Sequence, residues 1–152
     1  MLTIAAESPH QPDVLALLRE SDEYSMTRYP PESNHLVDPA ALAQPNVRFL
    51  VARRDGQTVG CAALVLSGND SAELKRMIVT SGARGQGLGR AILARLEDMA
   101  RQEHVRTLLL ETGIHNVAAL HLYRASGYRD RDPFGSYRHD PLSVFMAKTL
   151  AA

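Results

Sequence analysis

A run of glycines set between a strand and an amphipathic helix constrains this chain more than any other feature. Arg84-Gly85-Gln86-Gly87-Leu88-Gly89 follows an apolar stretch, residues 72–79. It leads into a helix over 87–102 in which Leu88, Ile92, Leu96 and Met99 form one stripe, with Ala91 beside it. Glycines at this density let the backbone approach a ligand, and unpaired N–H groups converge where the helix begins. The segment therefore reads either as a phosphate cradle or as a plain strand-to-helix turn. Two familiar phosphate motifs do not fit. A Walker A loop ends in Gly-Lys-Ser/Thr, whereas Gly89 precedes Arg90-Ala91, and G-x-G-x-x-G fails because the third position after Gly87 is Arg90. The loop also follows an antiparallel meander, where a dinucleotide fold would place an early βαβ unit.

That meander is read from turn chemistry. Residues 47–53 are rich in strand formers, Asp55-Gly56 is a hairpin turn, residues 58–66 return, Ser67-Gly68-Asn69-Asp70 turns again, and residues 72–79 make a third strand. Before it come a short strand at 2–6 and a helix at 12–20 carrying Val14, Leu15, Leu17 and Leu18. Residues 21–46 read as loop-rich, with one short helix at 39–43. After the glycine loop and its helix, residues 105–111 form a strand whose Leu108-Leu109-Leu110 run predicts burial on both faces. A helix over 116–125 stops at Gly127, and residues 143–148 give a last strand. The order β-α-(α)-β-β-β-α-β-α-β predicts an α/β (α+β) fold, a mixed sheet flanked by helices.

The 152 residues suit one domain spanning 1–152, and 17 Lys plus Arg balance 17 Asp plus Glu. That balance argues against nucleic acid or a membrane surface as the partner. A lone cysteine, Cys61, excludes an internal disulfide framework and a multi-cysteine zinc site, and it reads as an inert core residue. His10, His35, His104, His115, His121 and His139 contain no H-x-x-x-H or H-E-x-x-H spacing, so no metal is expected. The N-terminus lacks a cationic region followed by a long apolar core, and no stretch approaches the length of a membrane span, so a cytoplasmic protein is expected.

Two blocks together resemble a known family. Arg84-x-x-Gly87-x-Gly89 is similar to the Q/R-x-x-G-x-G/A pyrophosphate loop of the GNAT superfamily of acyl-CoA N-acetyltransferases. Asn116-x-x-Ala119-x-x-x-Tyr123-x-x-x-Gly127-Tyr128 is similar to its later N-x-x-A-x-x-x-Y-x-x-x-G-F block, with Tyr128 in the phenylalanine position. Their order, their separation and the element order fit as well. The resemblance implies a mostly antiparallel sheet in which two central parallel strands, 72–79 and 105–112, splay apart. Acetyl-CoA would lie in that gap, with Met77, Ile78 and Val79 pairing with pantetheine amides. Arg84, Gly85, Gln86, Gly87, Leu88 and Gly89 would hold the pyrophosphate, with charge from Arg84 and Arg90. Asn116 would contact the cofactor, and Tyr123 would protonate the CoA thiolate.

For the base, the resemblance offers Glu73 acting through water. The residues equally allow Glu73 to be a strand-end charge paired with Lys75 or Arg76. Glu111, Thr112 and bulk water are the alternatives. The acceptor would sit against 25–35 and 133–141, with Tyr29, His35, Glu111 and Tyr137 as candidate contacts. The expected reaction is acetyl transfer from acetyl-CoA to a primary amine of a small molecule, by direct attack in a ternary complex. A protein or peptide acceptor and a non-catalytic acetyl-CoA sensor stand as alternatives. Pairing of edge strands in the fold implies a homodimer.

Overall fold

Tight turns build the first half of a sheet whose central strands are buried on both faces. The computed structural model describes residues 1–34 and 38–151. β1 (Leu2–Ala6), β2 (Val47–Arg54), β3 (Gln57–Leu66) and β4 (Ser71–Val79) are successive antiparallel neighbours. Asp55 and Gly56 both adopt positive φ, the geometry a two-residue hairpin turn demands of the β2–β3 link. β5 (Thr107–Gly113) then lies parallel to β4. β7 (Ser143–Thr149) is antiparallel to β5, and β6 (Arg129–Arg131) closes the far edge, giving the order β1-β2-β3-β4-β5-β7-β6.

The sole parallel pair among the described strands is short. It runs from Ser71 opposite Thr107 to Leu74 opposite Leu110 and stops. Beyond that point β4 stays bonded to β3 while β5 stays bonded to β7, so the two part. A bulge coincides with the parting: the step from Cys61 to Ala63 on β3 faces the longer step from Lys75 to Ile78 on β4, and Arg76 takes a φ of 56°. The expected splay is present.

Helices cover both faces. α3 (Leu88–Gln102) lays Leu88, Ile92, Leu93 and Leu96 on Leu50, Leu64, Ala72 and Leu74, and α4 (Val117–Ala125) adds Leu120 and Tyr123 to the same core. On the opposite face α1 (Pro12–Arg28) packs Val14, Leu17 and Leu18 against Phe49, Val51, Cys61 and Ala63, joined by Leu42 of α2 (Pro39–Leu42). Cys61 is fully buried, and burial pushes its thiol pKa up to about 12, the inert state expected of it.

Three details differ from the sequence expectation. α1 runs on to Arg28 because nothing between Ser21 and Arg28 breaks a helix. Its apolar signal ends at Leu18, where its contact with the sheet core ends, and Pro30 supplies the stop. β6 carries no apolar residue and was not anticipated; it pairs as an exposed edge. In the leucine run Leu108 and Leu110 are buried, whereas Leu109 is only half-buried.

Two polar clusters hold the layers in register. Tyr128 donates to Glu97 on α3 at 2.9 Å, and Lys148 donates to the other oxygen of that carboxylate at 2.9 Å. This explains a tyrosine at the end of the second block, since its hydroxyl has a buried acceptor waiting. On the α1 side, Arg53 donates to Glu7, Gln11, Asp13 and Thr58. Hydrogen bonds from Thr58 and Arg53 pull Asp13 from its ordinary 3.8 to about 2, and Arg53 lowers Glu7 as well. Carboxylates depressed in the folded state stabilise it above their unfolded pKa and lose that contribution as pH falls. We expect an acid limb in stability between about pH 4 and pH 2, and Arg53→Gln should flatten it in urea melts taken across that range. The effect is modest because the Asp13 side chain is 48% exposed.

Candidate active site

Where β4 and β5 part, a cleft of about 850 Å³ opens between the strand ends, the glycine loop, α4 and the end of α1. Its geometry follows from chain connectivity. Ile78 and Val79 are committed to β3 on one side, so their other side faces the gap that β5 vacates.

At one end lies the glycine loop. Gly87, with φ 73° and ψ 13°, caps α3, and this left-handed conformation is what turns the chain from loop into helix. Backbone N–H groups across residues 85–90 make no hydrogen bond to any described residue. A cluster of unpaired donors at the start of a 15-residue helix suits an anionic phosphate. Arg84 and Arg90 line the same end.

In the middle stands Tyr123. It is 5% exposed and touches Tyr128 edge-on, with ring centroids 5.8 Å apart. Its hydroxyl donates to no described residue, and it lines the cleft. Burial first, and then the Glu111 carboxylate, push its pKa above the ordinary tyrosine value, so it stays protonated. Asn116 begins α4, lines the cleft and donates to Thr112 Oγ1 at 3.2 Å.

The other end is lined by Tyr29. Its hydroxyl accepts from the His115 N–H at 2.9 Å, and its ring stacks on His115 at 5.4 Å. Gly113 is required here, because a Cβ at that position would coincide with the Tyr29 hydroxyl. Tyr29 thus seats the end of α1 on the end of β5. Glu111 also lines this end and accepts from Ser143 Oγ at 2.9 Å.

The cleft gathers nearly all the residues picked from the sequence: Met77, Ile78, Val79, Arg84, Gly85, Gly87, Leu88, Gly89, Arg90, Asn116, Tyr123, Tyr29 and Glu111. Gln86 turns its side chain the other way, towards Arg54 and a shallower groove beyond the loop. Glu73 also lies outside the cleft. Tyr137 donates to its carboxylate at 2.6 Å, Lys75 donates to Tyr137 at 2.6 Å, and Lys75 approaches Glu73 at 3.3 Å. This is the ion-paired arrangement that the sequence set beside the base reading. Tyr137 belongs to that cluster and does not line the cleft, and His35 lies outside the described residues.

Sequence reasoning missed Lys75 and Arg76 as cleft residues in their own right. The Arg76 side chain is 4% exposed; its Nη1 contacts Asp22 of α1, while Nε and Nη2 have no partner among the described residues. Each such buried donor costs roughly 1–3 kcal/mol. A signal was available: Leu74-Lys75-Arg76-Met77 breaks the alternation of the strand, as an inserted bulge residue must. No group of three or more metal-ligating side chains occurs among the described residues.

The chain is similar to known proteins over its whole length. Residues 13–128 match the model of the acetyltransferase (GNAT) family. An IAA acetyltransferase of Azospirillum brasilense is 50% identical over 150 residues, covering 98% of each chain. A crystal structure of a protein from Klebsiella pneumoniae subsp. pneumoniae MGH 78578, assigned as an acyl-CoA N-acyltransferase, is 40% identical with a TM-score of 0.85 over 99% of both chains. The fold, though little of the sequence, is shared with an N-acetyltransferase of Thermoplasma acidophilum in complex with coenzyme A. That structure has a TM-score of 0.80 at 18% identity and covers 99% of each chain.

Proposed function

Because the chain belongs to the acetyltransferase (GNAT) family and is an acyl-CoA-dependent N-acetyltransferase, we propose that it moves the acetyl group of acetyl-CoA directly to a primary amine of a small molecule within a ternary complex. One observation carries this reading: unpaired backbone donors at residues 85–90, the open edge of β4 and Tyr123 lie along one cleft. The naming of a relative at 50% identity as an IAA acetyltransferase points the same way.

The cofactor's pyrophosphate would rest on the N–H groups of residues 85–90, with Arg84 and Arg90 pairing with its charge. Its pantetheine amides would pair with the backbone of Met77, Ile78 and Val79, as an added strand would. Attack of the neutral amine on the thioester carbonyl forms the C–N bond and breaks the C–S bond. Tyr123 gives its proton to the departing thiolate, and the new ammonium must lose one. Glu111 lines the cleft and is better placed to receive that proton than Glu73, which is held by Tyr137 and Lys75.

The test is a thiol-release screen with acetyl-CoA over amino acids, polyamines, aminoglycosides and peptides. We expect at least one small amine to release stoichiometric CoA with a mass gain of one acetyl group. Release with peptides alone would replace the small-molecule reading by a protein acceptor. Tight acetyl-CoA binding without release for any amine would leave a sensor.

A further inference from the structure

Arg76 is the one described residue with buried side-chain nitrogens that lack any partner, and it lies in the cleft wall. The pattern of what is used and unused is specific. Nη1 is engaged by Asp22, whereas Nε and Nη2 are both unpaired. Those two nitrogens form the side-on edge of the guanidinium, whose parallel N–H groups match the two oxygens of a carboxylate. The side chain is placed by a bulge with φ 56° at a residue other than glycine, a conformation that costs free energy and is retained where the surroundings require it. Asp22 is 32% exposed, so water shares its charge and the buried cation is only partly neutralised. Ser21, Tyr24 and Ser25 of α1 line the same wall and bring hydroxyls to it.

We propose that Arg76 determines acceptor specificity: its Nε/Nη2 edge takes a carboxylate on the amine substrate, so the preferred acceptors are small amino carboxylates. This rests on the N-acetyltransferase reading above and narrows its substrate class. Both nitrogens are covered by protein in this structure. The contact therefore requires the guanidinium to pivot about Asp22 towards the cleft that Arg76 lines. A carboxylate seated there completes the hydrogen bonding of the cation, and the substrate's own amine is left to reach the thioester.

The experiment compares thiol release from acetyl-CoA for free amino acids and for their carboxamides, which keep the amine and lose the charge. The wild type should favour the acids in kcat/KM by about 10²-fold or more, since a site built around a hydrogen-bonded group rejects analogues lacking it. Arg76→Gln should collapse that preference by raising KM for the acids far more than for the carboxamides. Arg76→Lys keeps the charge but not the fork and should recover only part of it. Should Arg76→Gln fold poorly, Asp22→Asn leaves the bulge intact and removes the competing carboxylate, and it should lower KM for the acids alone.

Equal use of acids and carboxamides by the wild type overturns the proposal. So does an acid-to-carboxamide ratio that neither Arg76→Gln nor Asp22→Asn changes. If plain amines react and acids gain nothing, only the anchor fails; if no amine of any kind releases CoA, the N-acetyltransferase reading fails with it.

Discussion

Tyr123→Phe is expected to lower kcat by about 10²- to 10³-fold near neutral pH while leaving acetyl-CoA affinity within a factor of a few. The ring packs in the core and phenylalanine preserves it, so the variant deletes one hydroxyl and little else. Tyr123 lines the cleft, and burial together with the Glu111 charge keeps its hydroxyl protonated throughout the physiological range. Water is a poor substitute at a position 95% shielded by protein, so the thiolate would leave without a proton donor. Tyr128→Phe is the matched control: its hydroxyl is committed to Glu97, and the ring contact with Tyr123 survives the change. Its loss should cost about 1 kcal/mol of stability and leave kcat unaltered. Steady-state kinetics on the first amine found in the thiol-release screen decide the matter. An unchanged kcat for Tyr123→Phe removes the general acid from the mechanism.

What was legible in the sequence was whatever leaves a periodic or turn-forming trace. The β2–β4 meander could be read because Asp55-Gly56 needs positive φ and the strands bury their apolar faces. The glycine loop, the α3 stripe and the α4 block all leave a trace in residue spacing, and the first and last of them line one end of the cleft. The end lined by Tyr29 and Glu111 was harder to read because its elements are defined by contacts between distant segments. The last part of α1 is polar and borders the cleft, so no apolar stripe reveals it. Tyr29 is positioned by Gly113 and His115, far along the chain, and neither residue type signals that pairing. Glu73 shares a strand face with Lys75, which lines the cleft, but its carboxylate is taken up by Tyr137 and Lys75, a pairing with residue 137 that spacing along the strand does not reveal. The Arg76 bulge lay between these extremes. The broken alternation was present in the sequence, but only the pairing register shows that it places a buried cation where the strands part.

Gly87→Asp is expected to weaken acetyl-CoA binding by about 10²-fold or more, and the reason is electrostatic rather than steric. A Cβ built at Gly87 meets no atom within 4 Å, so a side chain there has room within the protein. The φ of 73° does penalise any L-residue, and for that reason the informative comparison is Gly87→Asn. Asparagine and aspartate tolerate the left-handed region similarly well and occupy nearly the same volume. The pair differs by one negative charge, set at the mouth of a loop whose N–H groups across residues 85–90 point at no described acceptor. If those donors hold the pyrophosphate, asparagine should cost a few-fold in Kd and aspartate a further tenfold or more, about 1.4 kcal/mol per decade. The gap between the two variants should narrow as salt rises, because the repulsion lies near the surface and is screened. Equal Kd values for Gly87→Asp and Gly87→Asn by calorimetry, at low salt, would place the phosphates elsewhere. The loop would then be the plain strand-to-helix turn that its glycines alone also permit.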